Sequence, residues 1–218
     1  VRITLVHTVG AFLWALGACR ANRQHQNRAL PNWLLEAPIG IKREFLGAFF
    51  GGDGAHITMS WNVSKWKPTM NALEQHSDTE HLASTVAYLQ QVASMLGQLG
   101  IDASVKSECR IRQSKNSHAA LLCVDNKAEN LVRFFEMVGY RYCEDKIRHS
   151  SAPTQWLKGK LFFIQQRKAK YQEAFKLLST GFGTHAEIAA QVGLPHRSLS
   201  RVLSSGRVPE VRSDGYIS

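Results

Sequence analysis

The sequence has few cysteines, and none close together. Cys19, Cys109, Cys123 and Cys143 form no C-x-x-C pair, which excludes a zinc knuckle and a dense disulfide framework and leaves reduced, mostly structural thiols. Long apolar runs are missing too. The best, residues 9–19, stops at Arg20-Ala21-Asn22-Arg23, short of the roughly 18 residues a membrane helix needs, so no membrane partner is expected. Acidic residues are scarce: 17 Asp and Glu stand against 27 Lys and Arg in 218 residues, a net charge of +10. Such an excess attracts polyanions and raises their association rate, which makes nucleic acid the leading partner. Apolar residues are not scarce. At 44% of the chain they suffice to bury a core, with about 70% of the unfolded surface covered at this size, and disorder as the overall state is excluded. No initiator Met is present, and Val1 opens in mid-pattern, so the chain is expected to be a fragment.

The periodicity sets the organisation. Val9, Phe12, Leu13 and Leu16 recur at helical spacing before Gly17, predicting an amphipathic helix. Residues 20–28 read as a basic tether, and residues 39–50 as a helix that follows Pro38. Residues 56–63 alternate apolar with polar as a strand does, whereas residues 66–78 show no period and are expected to be an inserted loop. Leu82, Leu89, Val92, Leu96 and Leu99 form a 3.6-residue stripe ending at Gly100. Residues 103–111 and 119–124 make a hairpin around the turn-rich residues 113–117, and Leu131, Phe134, Phe135 and Val138 line one more helix, stopped by Gly139. The expected fold class is α+β, with helices on one face of an antiparallel sheet and the other face free for a partner, followed by a small helical domain.

The run Leu46-Gly-Ala-Phe-Phe-Gly-Gly-Asp-Gly54 is unusual for a helix that coats a core, because each glycine costs about 1 kcal/mol relative to alanine there. Gly47, Ala48, Gly51 and Gly52 recur at spacings of three and four, which marks them as a face where a second helix can approach closely. The run ends in Asp53, a carboxylate at the junction of helix and strand. This stretch resembles the LAGLIDADG motif of homing endonucleases, above all the intein-associated kind, and the resemblance extends from Leu30-Pro-Asn-Trp33 to Lys146. It implies that two such helices pack side by side and that each delivers its aspartate to the floor of a DNA-spanning saddle. Asp53 would then be a ligand of Mg²⁺ or another divalent cation, which phosphodiester hydrolysis requires to polarise the phosphate and activate water. Gly51 departs from the acidic residue frequent at that position. The resemblance also places a basic residue before the last helix of the repeat, where Lys127 stands; Lys146 is a second candidate. Only one such aspartate is present, so either a homodimer or a missing N-terminal repeat would complete the site.

Two further surfaces suggest DNA. Lys106, Arg110, Arg112, Gln113 and Lys115 on the hairpin combine phosphate-pairing and base-edge chemistry. Residues 184–203 resemble the helix-turn-helix of bacterial repressors: Thr184 and Glu187 suit a capping box, Gly193 the turn, and His196, Arg197, Ser198 and Arg201 a major groove. His76 and His81 do not share a helical face and are not expected to hold a metal. The expected organisation is therefore a helical segment and linker (residues 1–29), a LAGLIDADG-like repeat (30–148) and a basic helical tail (149–218). Its expected function is that of an intracellular, DNA-associated, Mg²⁺-dependent, site-specific DNA endonuclease of the homing type, or the C-terminal half of one. The alternative is a non-catalytic DNA-binding transcription regulator on the same fold. Protein splicing is not expected, for Val1 is no nucleophile and the chain ends Gly-Tyr-Ile-Ser218 rather than in His-Asn.

Overall fold

In a computed structural model, the structure describes residues 7–18, 22–62, 65–108 and 118–206. The chain divides into two units, Val1–Thr154 and Gln155–Ser218. The division falls within one long helix, α6 (Glu144–Ser179), one residue past its internal Pro153, the residue that cannot donate a helical hydrogen bond.

Unit 1 opens with α1 (His7–Ala15), a 3-10 turn (Arg23–His25) and α2 (Asn32–Leu35). It continues with α3 (Ile39–Asp53), which starts on the fixed backbone of Pro38. Its sheets are antiparallel: β1 (Ile57–Asn62) pairs with β2 (Lys65–Met70), while β3 (Leu73–Ser77), β5 (His118–Val124) and β4 (Ala103–Glu108) form a second sheet with β5 in the middle. The α+β class read from the sequence is thus what the chain adopts. Residues 66–78 are not a loop, however. They supply β2 and β3, and β3 escapes a hydrophobicity pattern because two of its three inward residues are polar: Leu73, Gln75 and Ser77 are buried.

The helix α4 (Leu82–Gln98) lies on all three strands of the second sheet. Its buried Leu89, Val92 and Leu96 share the core with Leu73, Leu122 and Val124, which the register places side by side on one face. Gly100, at φ 70, ends α4 and turns the chain into β4. Phe134 of α5 (Ala128–Met137) meets Phe50 of α3 edge-on at 4.9 Å. Burying this core is what holds α3 on the sheet, at about 25 cal/mol per Å² of apolar surface. The opposite sheet face shows exposed Glu74, Ser104 and Lys106 around half-buried Leu121 and Cys123.

Residues 22–28, the described part of the expected tether over 20–28, are packed against the rest of the unit. Arg28 and Leu30 are buried, the backbone N–H of Leu30 donates to Gln91 Oε1 at 2.9 Å, and that of Asp78 donates to the Gln24 carbonyl at 3.2 Å.

Unit 2 is helical. With the second part of α6, α7 (His185–Val192) and α8 (His196–Ser205) enclose a core of Tyr171, Ala174, Ile188, Ala189, Val192, Leu199, Val202 and Leu203. Among the described residues no helix is long and apolar enough to cross a membrane.

Candidate functional site

The end of α3 is closed by a lysine from elsewhere in the chain. Lys146, buried on α6, donates from Nζ to the carbonyls of Phe50 at 3.2 Å, Gly52 at 3.0 Å and Gly54 at 2.5 Å. The ammonium gathers carbonyls at and just beyond the helix terminus, the Phe50 carbonyl also accepting the Gly54 N–H at 3.0 Å, and it suits the negative end of the helix dipole. Lys146 thereby fixes the peptide units on either side of Asp53.

The Asp53 carboxylate is held by two donors on one oxygen. Nη1 of Arg23 donates to Oδ2 at 2.7 Å and Nε2 of Gln75 donates to the same atom at 3.0 Å. Gln75 is aimed in turn by buried Arg28, whose Nη1 donates to Gln75 Oε1 at 3.0 Å while its Nε donates to the Arg23 carbonyl at 2.7 Å. Partial burial would raise the Asp53 pKa. The hydrogen bonds from Arg23 and Gln75, with the charges of Arg23 and Lys146, outweigh it and hold the carboxyl below its ordinary value. Sequence reading selected Asp53 but missed Arg23, Arg28 and Gln75. The two arginines sat in a stretch taken for a tether, and Gln75 in one taken for a loop, where two polar residues among the three inward positions of β3 left no apolar period to mark it.

A divalent cation, which the family resemblance implies at Asp53, does not fit the donors this chain brings there. They are a guanidinium and an amide, and among the described residues no group of three His, Cys, Asp or Glu side chains could hold a metal ion. The residues around Asp53 make an ion pair rather than a cation cage.

The small residues of α3 fall into two sets. A Cβ on Gly51 would strike the carbonyl oxygen of Arg141, and one on Gly47 would meet the Arg141 side chain at 2.5 Å. The backbone N–H of Arg141 donates to the Gly47 carbonyl at 3.0 Å. The close approach at Gly47 and Gly51 is therefore made by the turn after α5 of the same chain, not by a second helix. Ala48 is exposed, and a Cβ on Gly52 would meet open space.

The other expected residues are dispersed. Lys127 stands at the N-cap of α5 and pairs with Asp125 at 3.0 Å, a hydrogen bond that raises the lysine pKa; it is not among the partners of Asp53. Lys106 is exposed on β4, whereas Arg110, Arg112, Gln113 and Lys115 lie outside the described residues. His81 donates its backbone N–H to Asp78 Oδ1 at 3.0 Å and brings Nδ1 to the same oxygen at 2.6 Å. Nδ1 of His25 contacts Oδ2 at 3.0 Å, and these hydrogen bonds lower the Asp78 pKa to about 2.

Residues 184–203 form the helix pair that their pattern implies. Thr184 Oγ1 accepts from the Glu187 N–H at 3.3 Å and the Thr184 N–H donates to Glu187 Oε2 at 2.6 Å, a complete capping box. Gly193 turns the chain at φ 63, a left-handed conformation that glycine adopts without strain. On α8, Leu199, Val202 and Leu203 face the core, while His196, Arg197 and Arg201 are exposed. Ser198 is half-buried, its Oγ 3.0 Å from the hydroxyl of Tyr171, a contact that ties α8 to α6. The described part of unit 2 carries eight Lys and Arg against two Glu, a net +6.

No family model matches the chain, and no solved structure matches it. The chain is similar to the tRNA-splicing ligase RtcB of Methanopyrus kandleri, 28% identical over 198 residues that cover 90% of this chain and 19% of the relative. It is similar to that of Pyrococcus abyssi at 27% over 183 residues, 84% of this chain and 18% of the relative. A segment of the DNA-directed RNA polymerase subunit Rpo1N of Methanocaldococcus jannaschii is 25% identical over 162 residues, 74% of this chain and 12% of that protein. The chain thus spans about a fifth of the length of the RtcB relatives. None of these names is that of a nuclease or a transcription regulator. The expected homing-type, intein-associated DNA endonuclease is corrected accordingly: curated relatives over most of the chain carry the name of a tRNA-splicing ligase.

Proposed function

We propose that this chain is a nucleic-acid-binding segment of a larger enzyme, docking duplex DNA through α7 and α8 with α8 in the major groove. The exposed pair Arg197 and Arg201, one helical turn apart on a helix whose other face is locked into the core, carries this reading. Arginine pairs bidentately with guanine edges or phosphates, and a preordered helix offers both side chains without first having to fold. A major groove about 12 Å wide admits a helix, whereas the narrow major groove of A-form RNA does not.

The names of the relatives support the enzyme setting. A tRNA-splicing ligase and an RNA polymerase subunit act on different chemistry but both handle polynucleotides, and each matches over a minor part of its length. A segment shared in this way is better read as a binding unit than as the seat of either reaction. In unit 1, the succession of α3 ending at Asp53, antiparallel strands, α4, the β4–β5 hairpin and α5 supports a LAGLIDADG-like fold as its finer class, used as a scaffold and not as a nuclease.

Fluorescence anisotropy of the whole chain with matched DNA and RNA duplexes over a salt series tests the reading. DNA should bind more tightly, with log affinity falling against log salt by about 0.9 per phosphate neutralised. Equal binding of the RNA duplex, or no DNA binding at low salt, would refute it.

A further inference from the structure

The outward side chains of α8 are few. Leu199, Val202 and Leu203 are buried in the core of unit 2, whereas His196, Arg197, Arg201 and Ser204 are exposed. Ser200, between the two arginines, is half-buried, with Oγ 3.2 Å from Nδ1 of His185 on α7, a contact that ties the two helices. Arg197 and Arg201 make no hydrogen bond or ion pair among the described residues, so neither guanidinium has to leave a partner to meet a ligand. Four residues apart, they stand about 40° around the helix from one another and about 6 Å along it.

Each base edge in a major groove requires its own partner. Adenine pairs bidentately with the amide of Asn or Gln, and the cytosine amino group needs a carboxylate acceptor. α8 contains no Asn, Gln, Asp or Glu. Serine hydroxyls accept either kind of edge and add no preference. A guanidinium fits guanine, donating two hydrogen bonds from its planar fork to O6 and N7. The placement suits base edges as well, because Arg197 is the second residue of α8 and Arg201 the sixth, and the N-terminal residues of a groove-lying helix are those that reach the bases. Successive base pairs lie about 3.4 Å apart, so arginines about 6 Å apart span no more than about two steps. We infer, resting on the duplex reading of α7 and α8, that α8 selects sequence: its site holds two guanines, adjacent or separated by one base pair, one for Arg197 and one for Arg201.

Fluorescence anisotropy of the whole chain with alternating A·T duplexes decides it, each duplex carrying one core: two adjacent guanines, two guanines around one A·T pair, a single guanine, or none. With at least about fivefold from each bidentate contact, the better two-guanine core should bind at least about thirtyfold more tightly than the duplex without guanine. Replacing both guanines by 7-deazaguanine, which pairs as guanine does but lacks the N7 acceptor, should lose at least about fivefold of that advantage. Arg201→Ala, at an exposed position, should abolish the preference at one of the two guanines and keep it at the other, whereas loss of a phosphate contact would weaken all four duplexes alike. Equal binding of the four, indifference to 7-deazaguanine, or uniform weakening by Arg201→Ala would overturn guanine selection and leave the duplex reading standing. No binding of any of them at low salt would remove both.

Discussion

Unit 2 builds its candidate surface from one stretch, residues 184–205, in which the cap, the turn, the inward apolar positions and the outward arginines lie within two short helices. Unit 1 gathers Asp53, Arg23, Arg28, Gln75 and Lys146 from separate parts of the chain around the end of α3. The first arrangement depends on local rules, a capping box and a left-handed glycine, with a core of eight side chains behind them. The second depends on tertiary packing, because each polar group there is aimed by another that the fold brings to it. A surface patch in unit 2 can therefore change without disturbing its scaffold, while a change in unit 1 propagates through its partners.

The sharpest way to separate the two is to empty one core. Leu199 is fully buried, so Leu199→Ala should cost unit 2 about 2–5 kcal/mol and leave the protection of α4 and β5 amides unchanged in hydrogen exchange. Equal loss of protection in both units would mean that they unfold together.

Within unit 1, two adjacent glycines should behave oppositely. Gly51→Ala forces a Cβ onto the Arg141 carbonyl and should destabilise the unit by about 1–3 kcal/mol. Gly52→Ala meets open space and should stabilise it by about 1 kcal/mol through helix propensity. Thermal unfolding of both variants reads the contrast; matching effects would contradict the assignment of Arg141 as the neighbour of α3.

In unit 2, Thr184→Ala removes the hydroxyl of the capping box and should cost about 1 kcal/mol, measurable as faster exchange in the first turn of α7. An unaffected first turn would show that the box contributes nothing.

The smallest effect concerns acid. The folded pKa of Asp78 lies below its ordinary 3.8, at about 2, so its contribution is present above the unfolded value and disappears as pH falls through the interval between them. Asp78→Asn should flatten the acid dependence of unit 1 stability between pH 3.8 and 2, with unit 2 unaffected. An unchanged acid limb would dismiss the His25–Asp78–His81 contacts.

What could be read beforehand follows the same divide. The helix pair α7 and α8 was legible because its determinants are close neighbours in sequence, down to Thr184, Glu187 and Gly193. The contact between the Ser198 hydroxyl and Tyr171, on a preceding helix, was not legible from helical spacing alone. In unit 1 the amphipathic α4 and the β4–β5 hairpin were plain from apolar periods, but β3 was not, since buried Gln75 and Ser77 break the hydrophobic code. Of the small residues of α3, Gly47 and Gly51 marked a close approach and Ala48 and Gly52 did not. Nothing local revealed that its partner is the backbone at Arg141, far along the chain. The step from family resemblance to activity failed for another reason: Asp53 fits a cation in isolation, but Arg23 and Gln75 make it one end of an ion-pair network.

The central claim is that α8 presents Arg197 and Arg201 to duplex DNA from a scaffold that does not depend on them. Its most direct test is the duplex affinity of Arg197→Ala/Arg201→Ala beside the parent chain at one fixed salt concentration, with unit 2 unfolding followed in parallel. At about 1–3 kcal/mol for each bidentate contact, the account predicts at least about a thirtyfold loss of binding with the unfolding transition unchanged. Undiminished affinity in the folded double variant would contradict it.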